Sequence, residues 1–268
     1  TFPRTDDGWL EAWNRFSALE PRCVAVPRAG TAPDVRRSLP PAYRSGHALA
    51  TWVVGLLAVY VLATLVLLAF TISEVGLLQR ARDGIGPTFA QAETSDDRLA
   101  LAGVLSALIF IATAVVWVVW QYRAHANLRS LGADDLRYRP GWVVGWWFIP
   151  VANTAMPYLT TRELHKASDP DAGAIDWKSR RTWPVLWMWW GAWLLGRFLL
   201  ASVAFYLAAD PDASVERLIA SDGFEIAGGV LEIVAALFAM AVVRSIDRRQ
   251  RAKARRLAAR AETPATAL

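Results

Sequence analysis

Four long apolar runs constrain the fold of this chain more than any other feature of its sequence. They cover residues 48–72, 99–120, 183–209 and 223–243. Each is long enough to cross a bilayer, because a spanning helix needs about 20 apolar residues. The composition agrees, since 54% of the 268 residues are hydrophobic and 14 are Trp, an unusual content for a soluble domain. The sequence therefore predicts an all-α, polytopic membrane protein with four transmembrane helices.

The distribution of Lys and Arg predicts the orientation of these spans. Seven basic residues lie in 1–47, nine in 122–182 and eight in 244–268, whereas the connecting segments 73–98 and 210–222 carry three and one. Four spans place the three basic segments on one face of the membrane. Because basic residues accumulate in cytoplasmic segments, we expect a multi-pass protein of the cell membrane with both termini in the cytoplasm.

The same pattern divides the chain into three parts. Residues 1–46 form a Pro/Arg-rich cytoplasmic segment, the arm, whose composition is typical of disorder. Residues 47–243 form the four-span domain, with a cytoplasmic segment at 122–182, the insert, between the second and third spans. Residues 244–268 form a basic cytoplasmic segment, the tail.

Two spans are expected to continue as helices beyond the membrane. Helical character after the second span lasts to about Leu131 and should stop at Gly132, which suits a helix C-terminus. The tail should extend the fourth span along the inner membrane surface, where anionic lipids attract Lys and Arg. The expected partners are therefore the lipid bilayer and anionic lipid at that surface.

The stretch RPGWVVGWWFIPVANTAMP, residues 139–157, is apolar but interrupted by Gly, Pro and Asn. A crossing there would move the basic tail to the outer face, so the charge distribution argues against a fifth span. Backbone groups freed by Pro and Gly at membrane depth must be satisfied by protein or water. We therefore predict a shallow re-entrant or interfacial helical segment that turns back at 150–153 and packs on the second and third spans, away from lipid.

Two ionisable residues are predicted inside the membrane, Arg197 in the third span and Glu232 in the fourth. They are nearly equidistant in sequence from Val215 between the spans, so an antiparallel helical hairpin brings them to the same depth. We predict that they form an ion pair, because charges at that depth normally pair. The pair either fixes helix register or belongs to an ion or proton pathway with Glu225 at its mouth.

The fourth span carries a stripe of small and acidic residues that should form its packing face, because small residues allow close helix approach. It comprises Glu225, Gly228, Gly229, Glu232, Ala235, Ala236 and Ala239.

Most of the Trp residues lie at the predicted cytoplasmic ends of the apolar segments. Interfacial anchoring explains this position without a ligand, and a Trp-lined pocket is the alternative. The residues are Trp52, Trp117, Trp120, Trp142, Trp146, Trp147, Trp183, Trp187, Trp189, Trp190 and Trp193.

No sequence motif indicates an enzyme. The chain has no HExxH, GxSxG, P-loop or GxGxxG pattern, and one cysteine, Cys23, cannot form a paired-cysteine metal site. His125, Glu163 and His165 of the insert, together with Asp134 and Asp135, lack tight metal-ligand spacing. We expect no metal, no cofactor and no nucleic acid, and interpret these side chains as solvated.

The central run from Trp120 to Leu164 closely resembles the signature of a bacterial membrane-protein family, domain of unknown function 4328. The resemblance covers roughly residues 50–250 and excludes the arm. Because that family has no established activity, the resemblance implies no substrate and directs attention to the insert. The motif positions with candidate functional side chains are Arg123, His125, Asn127, Trp146, Trp147, Pro150, Asn153, Arg162 and Glu163.

Three functions remain open at the level of the sequence. The first is a non-enzymatic interaction, sensing or scaffold role through the basic, Trp-lined cytoplasmic face, with a protein partner or a second copy of the chain. The second is a small transporter or channel that uses Arg197 and Glu232. The third is a membrane-embedded enzyme that uses His125 or Glu163, which the absence of a catalytic motif disfavours.

Overall fold

A computed structural model describes residues 42–210 and 212–262 of the chain. Most of the arm and the last residues of the tail lie outside this range, so the predicted organisation of the arm is not addressed. The described residues are all-α, without strands. Four of their helical stretches are long and apolar enough to cross a membrane, which confirms the predicted fold class.

The first two spans form a helical hairpin. Helix α1 covers His47–Arg82, and helix α2 covers Phe89–Ser130. Gly84 turns the chain between them with a φ of +81°, a conformation that favours glycine. Helix α2 begins with a capping box, in which the Thr88 side chain accepts from Gln91 N and the Gln91 side chain accepts from Thr88 N.

Helix α2 is 42 residues long, so at about 1.5 Å per residue it exceeds the thickness of the hydrocarbon core. Its last turns therefore belong to the insert. The helix ends at Ser130, and Gly132 follows with a φ of +73°. The sequence prediction of a helix end at Gly132 is confirmed.

The insert consists of short helical pieces joined by turns. Helix α3 covers Pro140–Gly145 and continues into a 3-10 turn at Trp146–Phe148. A second 3-10 turn, Ala152–Thr154, precedes helix α4, Met156–Ala167. A third turn lies at Asp176–Ser179. Pro begins α3 and lies in the first turn of α4, where its missing N–H costs no helical hydrogen bond.

The third span is interrupted, whereas the fourth is continuous. Helix α5, Pro184–Leu194, passes into a π-helical turn at Leu195–Leu200 and then into helix α6, Ala201–Ala208. Helix α7, Val215–Glu262, is 48 residues long, or about 70 Å. It contains the fourth span and most of the tail.

Helix packing leaves a gap inside the bundle. Helix α1 packs closely along both α2 and α7, and α7 packs along all three parts of the third span. Contacts between α2 and the third span include the rings of Trp117 and Trp189, whose centroids are 5.4 Å apart. The space between these two spans holds the cavities described below.

The small residues of the fourth span lie at its closest helix contacts, as predicted. Ala235, Ala236 and Ala239 are buried. A Cβ atom on Gly196 would lie 3.0 Å from the carbonyl oxygen of Gly228, so the third and fourth spans approach backbone to backbone at this point.

The turn of the 139–157 stretch differs from its prediction in one respect. The chain does turn between the two 3-10 segments, and Trp147 packs on the second and third spans. However, Phe148 and Val151 at the turn are 74% and 81% exposed. The expectation that the segment packs closely on the second and third spans is therefore wrong for Phe148 and Val151, because the short turn at 148–151 projects these side chains away from the bundle surface.

The tail continues the fourth span as a helix, as predicted, and one face of it packs on the insert. Gln250 Nε2 donates to Ala124 O at 2.7 Å, and Lys253 Nζ donates to Ala167 O at 3.1 Å. Both side chains are buried. The uninterrupted helix α7 continues the direction of the fourth span, which keeps this face of the tail on the protein.

Candidate functional site in the membrane interior

Four side chains meet in the middle of the bundle and form what we call the charged layer: Tyr60, Phe110, Arg197 and Glu232. Arg197 Nη1 lies 3.4 Å from Glu232 Oε1, so the predicted ion pair is present. The Tyr60 hydroxyl donates to Glu232 Oε2 in a short hydrogen bond. The Arg197 guanidinium lies 5.0 Å from the centroid of the Phe110 ring, within the range of a cation–π contact.

The π-helical turn positions Arg197 in this layer. Such turns are rare and often occur at functional sites. Here the turn places Gly196 against the fourth span at Gly228, so the neighbouring Arg197 lies beside Glu232. The contact is loose, because 3.4 Å exceeds the usual length of a strong charge-assisted hydrogen bond and the Arg197 side chain is 46% exposed.

A cavity of about 390 Å³ lies on the side of the charged layer nearer the α1–α2 and α6–α7 connections, and we call it the loop-side cavity. Its wall contains all four residues of the charged layer. It also contains Glu225, the residue predicted at the mouth of a pathway, and the hydroxyl residues Thr64, Ser106 and Ser221. This cavity is therefore lined by both charged and uncharged polar groups.

A second cavity, of about 420 Å³, lies on the side nearer the insert, and we call it the insert-side cavity. Its wall is mainly aromatic and aliphatic, and Glu232 is the one charged residue among the described residues that line it. Its aromatic wall residues are Tyr60, Phe110, Trp117, Trp147, Phe148, Trp189 and Trp193.

The charged layer separates the two cavities. Tyr60, Phe110 and Glu232 belong to both walls, whereas Arg197 belongs only to the loop-side wall. Glu232 can therefore face either cavity after a change of side-chain rotamer. The Arg197 charge is available from one side only.

The insert is held together by a buried carboxylate. Glu163 Oε1 accepts from His125 Nε2 at 3.1 Å and from Tyr138 N at 3.2 Å, and Glu163 Oε2 accepts from Arg137 N at 2.9 Å. His125 is fully buried and Glu163 nearly so. The prediction that these two residues are solvated is wrong, because helix α4 places Glu163 against the last turns of α2, which carry His125.

A second buried network joins the insert to the bundle. Gln121 Nε2 donates to Thr161 Oγ1 at 3.0 Å, and Gln121 Oε1 accepts from Trp147 Nε1 at 2.8 Å. Trp190 Nε1 donates to Thr154 O at 2.9 Å. These bonds connect α2, the 139–157 stretch and α5, and they fix Trp147 in the wall of the insert-side cavity.

The other motif residues have separate positions. Asn127 exchanges two hydrogen bonds with the backbone of Arg44, at 2.8 and 3.2 Å. The Trp146 ring packs on Trp142, with centroids 4.9 Å apart. Asn153 lies in the wall of the insert-side cavity, and its Oδ1 atom is buried without a hydrogen-bond partner in the described part of the chain.

Three further motif residues lie outside both networks. Pro150 is exposed in the turn at 148–151, and Arg123 is half-buried. The Arg162 guanidinium lies 5.9 Å from the centroid of the Tyr158 ring. None of the three belongs to a cavity wall among the described residues.

His165 connects the insert to the tail. Its ring stacks on Trp183 with a centroid distance of 5.5 Å, and its Nε2 atom lies 3.3 Å from Ser245 Oγ. Burial and the positive charge of Arg249 lower the pKa of His165 from its ordinary value of 6.5 to about 4. His165 is therefore neutral at pH 7, and no group of three potential metal ligands includes it within the described residues.

Some Trp residues fit the interpretation as interfacial anchors, and others fit the interpretation as the wall of a pocket. Trp52 and Trp187 are exposed, as interfacial anchors should be. Trp117, Trp120, Trp189 and Trp190 are at most 6% exposed, so they belong to the core. Trp117 and Trp189, with Trp147 and Trp193, line the insert-side cavity.

Sequence reasoning missed Tyr60 and Gln121. Tyr60 was detectable as the one tyrosine in the middle of an otherwise apolar first span, where its hydroxyl requires a partner. Gln121 carries a similar signal, because an amide at the end of an apolar run must be hydrogen-bonded if it is buried.

The model of one protein family, described as domain of unknown function (DUF4328), matches residues 83–248. This range includes the second, third and fourth spans and the insert. The chain matches no curated protein and no solved structure. The family description assigns no activity, so the functional inference depends on the geometry of the two cavities.

Proposed function

Because the chain belongs to the family described as domain of unknown function (DUF4328), for which no activity is given, we propose a function from the interior of the protein itself. We propose that it is a small membrane transport protein in which a solute passes between the loop-side and insert-side cavities. The charged layer of Tyr60, Phe110, Arg197 and Glu232 would act as the gate between them.

The observation that carries this proposal is the series arrangement of the two cavities. They have similar volumes, about 390 and 420 Å³, and they share the three wall residues Tyr60, Phe110 and Glu232. A pair that only fixed helix register would require neither cavity. Transporters commonly bind their solute near the bilayer midplane beside interrupted helices, and the π-helical turn is such an interruption.

The gate can open because its central contact is weak. Arg197 makes one contact of 3.4 Å with Glu232, and a change of either rotamer separates the two charges. The Tyr60 hydroxyl remains a hydrogen-bond donor to the Glu232 carboxylate. Glu232 therefore keeps a partner while the ion pair is broken, which lowers the cost of an uncompensated charge.

Thiol labelling of single cysteines tests the proposal. Cys23, the one cysteine of the sequence, is first replaced by Ser. Each variant then receives one new cysteine, either Ala107→Cys in the loop-side wall or Ala114→Cys in the insert-side wall. A charged, membrane-impermeant methanethiosulfonate is applied to right-side-out and to inside-out membrane vesicles. We expect the two cysteines to react from opposite sides of the membrane.

Ala112→Cys is the matched control, because Ala112 lies between the two positions on the same helix, is exposed and belongs to neither wall. It should react from neither side. Labelling of both wall positions from the same side, or labelling no faster than Ala112→Cys, would contradict a path through the charged layer.

The interaction role remains a second proposal, supported by a different observation. The turn at 148–151 exposes the apolar side chains of Phe148 and Val151, which suits a surface that contacts the membrane interface. We propose that this turn lies in the inner membrane interface as the predicted re-entrant or interfacial segment, with both termini cytoplasmic and anionic lipid next to the tail. Some of the tail charge is offset internally, since Arg249 and Arg256 contact Asp169 and Asp171.

Quenching of a fluorophore by brominated lipid tests this second proposal. A fluorophore attached to Val151→Cys, in the Cys23→Ser background, should be quenched when the bilayer contains lipid brominated near the headgroup. The same fluorophore on Asp135→Cys, in an exposed loop of the insert, provides the control and should be quenched less. Equal quenching at the two positions would refute the interfacial placement.

A further inference from the structure

The insert-side cavity has a wall that selects one class of solute, and this inference rests on the proposed transport function. Seven aromatic side chains line the cavity, and Glu232 is the one charged residue among its described wall residues. Its volume of about 420 Å³ falls in the range of sites for small organic ligands. We propose that this cavity binds an apolar organic cation.

The aromatic wall favours a positive charge. The faces of Trp, Tyr and Phe rings carry negative electrostatic potential and attract cations, and Trp does so best. The Trp117 ring contacts both Trp147 and Trp189 within the wall, with centroid distances of 6.3 and 5.4 Å. A cation in the cavity therefore meets several ring systems that are already packed in place.

The negative charge of Glu232 also favours binding of a cation over an anion. Among the described residues, Arg197 is the one partner of its Oε1 atom, at 3.4 Å, which leaves this oxygen able to accept a cation from the insert side. Arg197 lies on the opposite side of the layer and does not contribute to the insert-side wall among the described residues. An anion would meet the Glu232 carboxylate without a compensating positive charge.

The same wall disfavours an inorganic cation. Metal ions such as Na⁺ and Mg²⁺ require several oxygen ligands to replace their water shell. The side-chain oxygens of the wall come from Glu232, Asn153, Thr113 and Tyr60, and Thr113 already donates to Ile109 O. An organic cation loses little hydration on entering an aromatic cavity, so it fits this chemistry better.

Two wall atoms are additionally free to bind a polar group of the ligand. Trp117 Nε1 and Asn153 Oδ1 are buried and have no hydrogen-bond partner within the described residues. Buried polar groups are nearly always paired, and Trp117 is only 6% exposed. The Trp117 N–H donor and the Asn153 oxygen acceptor therefore lie in the wall of a mainly apolar cavity, where each can bind a polar group of the ligand.

Binding of a cation has a consequence for the gate. A cation next to Glu232 competes with Arg197 for the same carboxylate, so occupancy of the insert-side cavity weakens the ion pair. The solute itself thereby favours opening of the charged layer. This links binding in one cavity to passage into the other.

Binding of two ions of equal shape and opposite charge tests the inference. Tetraphenylphosphonium and tetraphenylborate are titrated into the full-length protein in lipid nanodiscs, with empty nanodiscs as the blank, and quenching of Trp fluorescence is measured. We expect saturable binding of tetraphenylphosphonium, and at least about tenfold weaker binding in Glu232→Gln, because a desolvated charge partner is lost. Tetraphenylborate should not bind saturably.

The controls separate this site from general adsorption. Glu225→Gln removes a carboxylate of the loop-side wall only and should leave the affinity for tetraphenylphosphonium unchanged. Trp193→Leu, in the insert-side wall, should weaken binding, whereas Trp187→Leu, at an exposed position outside it, should not. If Glu232→Gln fails to fold, Arg197→Gln/Glu232→Gln removes both charges and should show the same loss.

Each result bears on one of the two proposals. Equal binding of both ions, or binding that does not change in Glu232→Gln and Trp193→Leu, would overturn the cation site. The transport proposal would still be supported if the two wall cysteines react from opposite sides of the membrane. Glu232-dependent binding combined with labelling of both cavities from one side would support the cation site and overturn transport.

Discussion

At the scale of single residues, several positions of the insert and of the end of α2 make hydrogen bonds that are partly or fully buried. Glu163 accepts three bonds from His125 and from two backbone N–H groups, which is a usual way to satisfy a carboxylate away from water. Gln121 and Asn127 likewise bind partners far away in the sequence. These residues hold the insert in place, so we locate the proposed solute recognition in the membrane interior.

His165 should make the stability of the protein depend on pH. Its folded-state pKa of about 4 lies below the ordinary value of 6.5, so the unfolded chain binds its proton first as the pH falls. The contribution of neutral His165 to the free energy of unfolding is fully present above about pH 6.5 and is lost as the pH falls towards 4. We expect the free energy of unfolding to fall by about 2 kcal/mol between pH 7.5 and 5.

The measurement is a thermal unfolding midpoint in detergent at several pH values. His165→Phe retains a ring against Trp183 but cannot titrate, so its midpoint should fall less over the same interval. Identical pH profiles for the two proteins would show that His165 does not carry this dependence.

At the scale of helices, the third span is interrupted by an irregular turn next to the charged layer. The π-helical turn at Leu195–Leu200 allows the backbone to approach Gly228 and aligns Arg197 with Glu232. The turn and the two glycines therefore act together.

Substitution of Gly196 should disrupt this contact. A Cβ atom there would lie 3.0 Å from Gly228 O and 3.2 Å from Leu231 Cβ, and neither atom is the end of a flexible side chain. We expect Gly196→Ala to lower the free energy of unfolding by about 1–3 kcal/mol, measured by denaturation in mixed micelles.

Gly191→Ala is the matched control, since a Cβ atom on Gly191 meets nothing within 4 Å. Because Ala favours helix over Gly by up to about 1 kcal/mol, this variant should be neutral or more stable. A Gly196→Ala protein as stable as Gly191→Ala would argue against a close backbone contact at this crossing.

The regular parts of these helices could be predicted from the sequence. Apolar length identified the four spans, Gly132 marked the end of α2, and equal sequence distances from Val215 placed Arg197 beside Glu232. The π-helical turn has no such signal, because LGRFLL is an ordinary helical sequence. The hydrogen bond between Tyr60 and Glu232 could not be predicted either, because hydropathy does not determine which face of a span points into the bundle.

At the scale of the whole molecule, the order of helix packing creates the site. Helix α1 packs between α2 and α7, and α7 packs along the third span, so α2 and the third span face each other across a gap. The charged layer divides this gap into a polar cavity and an aromatic one. The insert and tail lie at one end and hold Trp147 and Asn153 in the aromatic wall.

Uptake of an organic cation into proteoliposomes tests the central claim most directly. Ethidium is added outside vesicles that contain the purified protein and trapped DNA, and the rise of fluorescence is recorded against protein-free vesicles. We expect faster uptake with the wild-type protein and with Trp187→Leu, at an exposed position outside both cavity walls, and uptake at the protein-free rate with Glu232→Gln. Uptake that is no faster than in protein-free vesicles, or that persists undiminished in Glu232→Gln, would contradict passage of a cation through the charged layer.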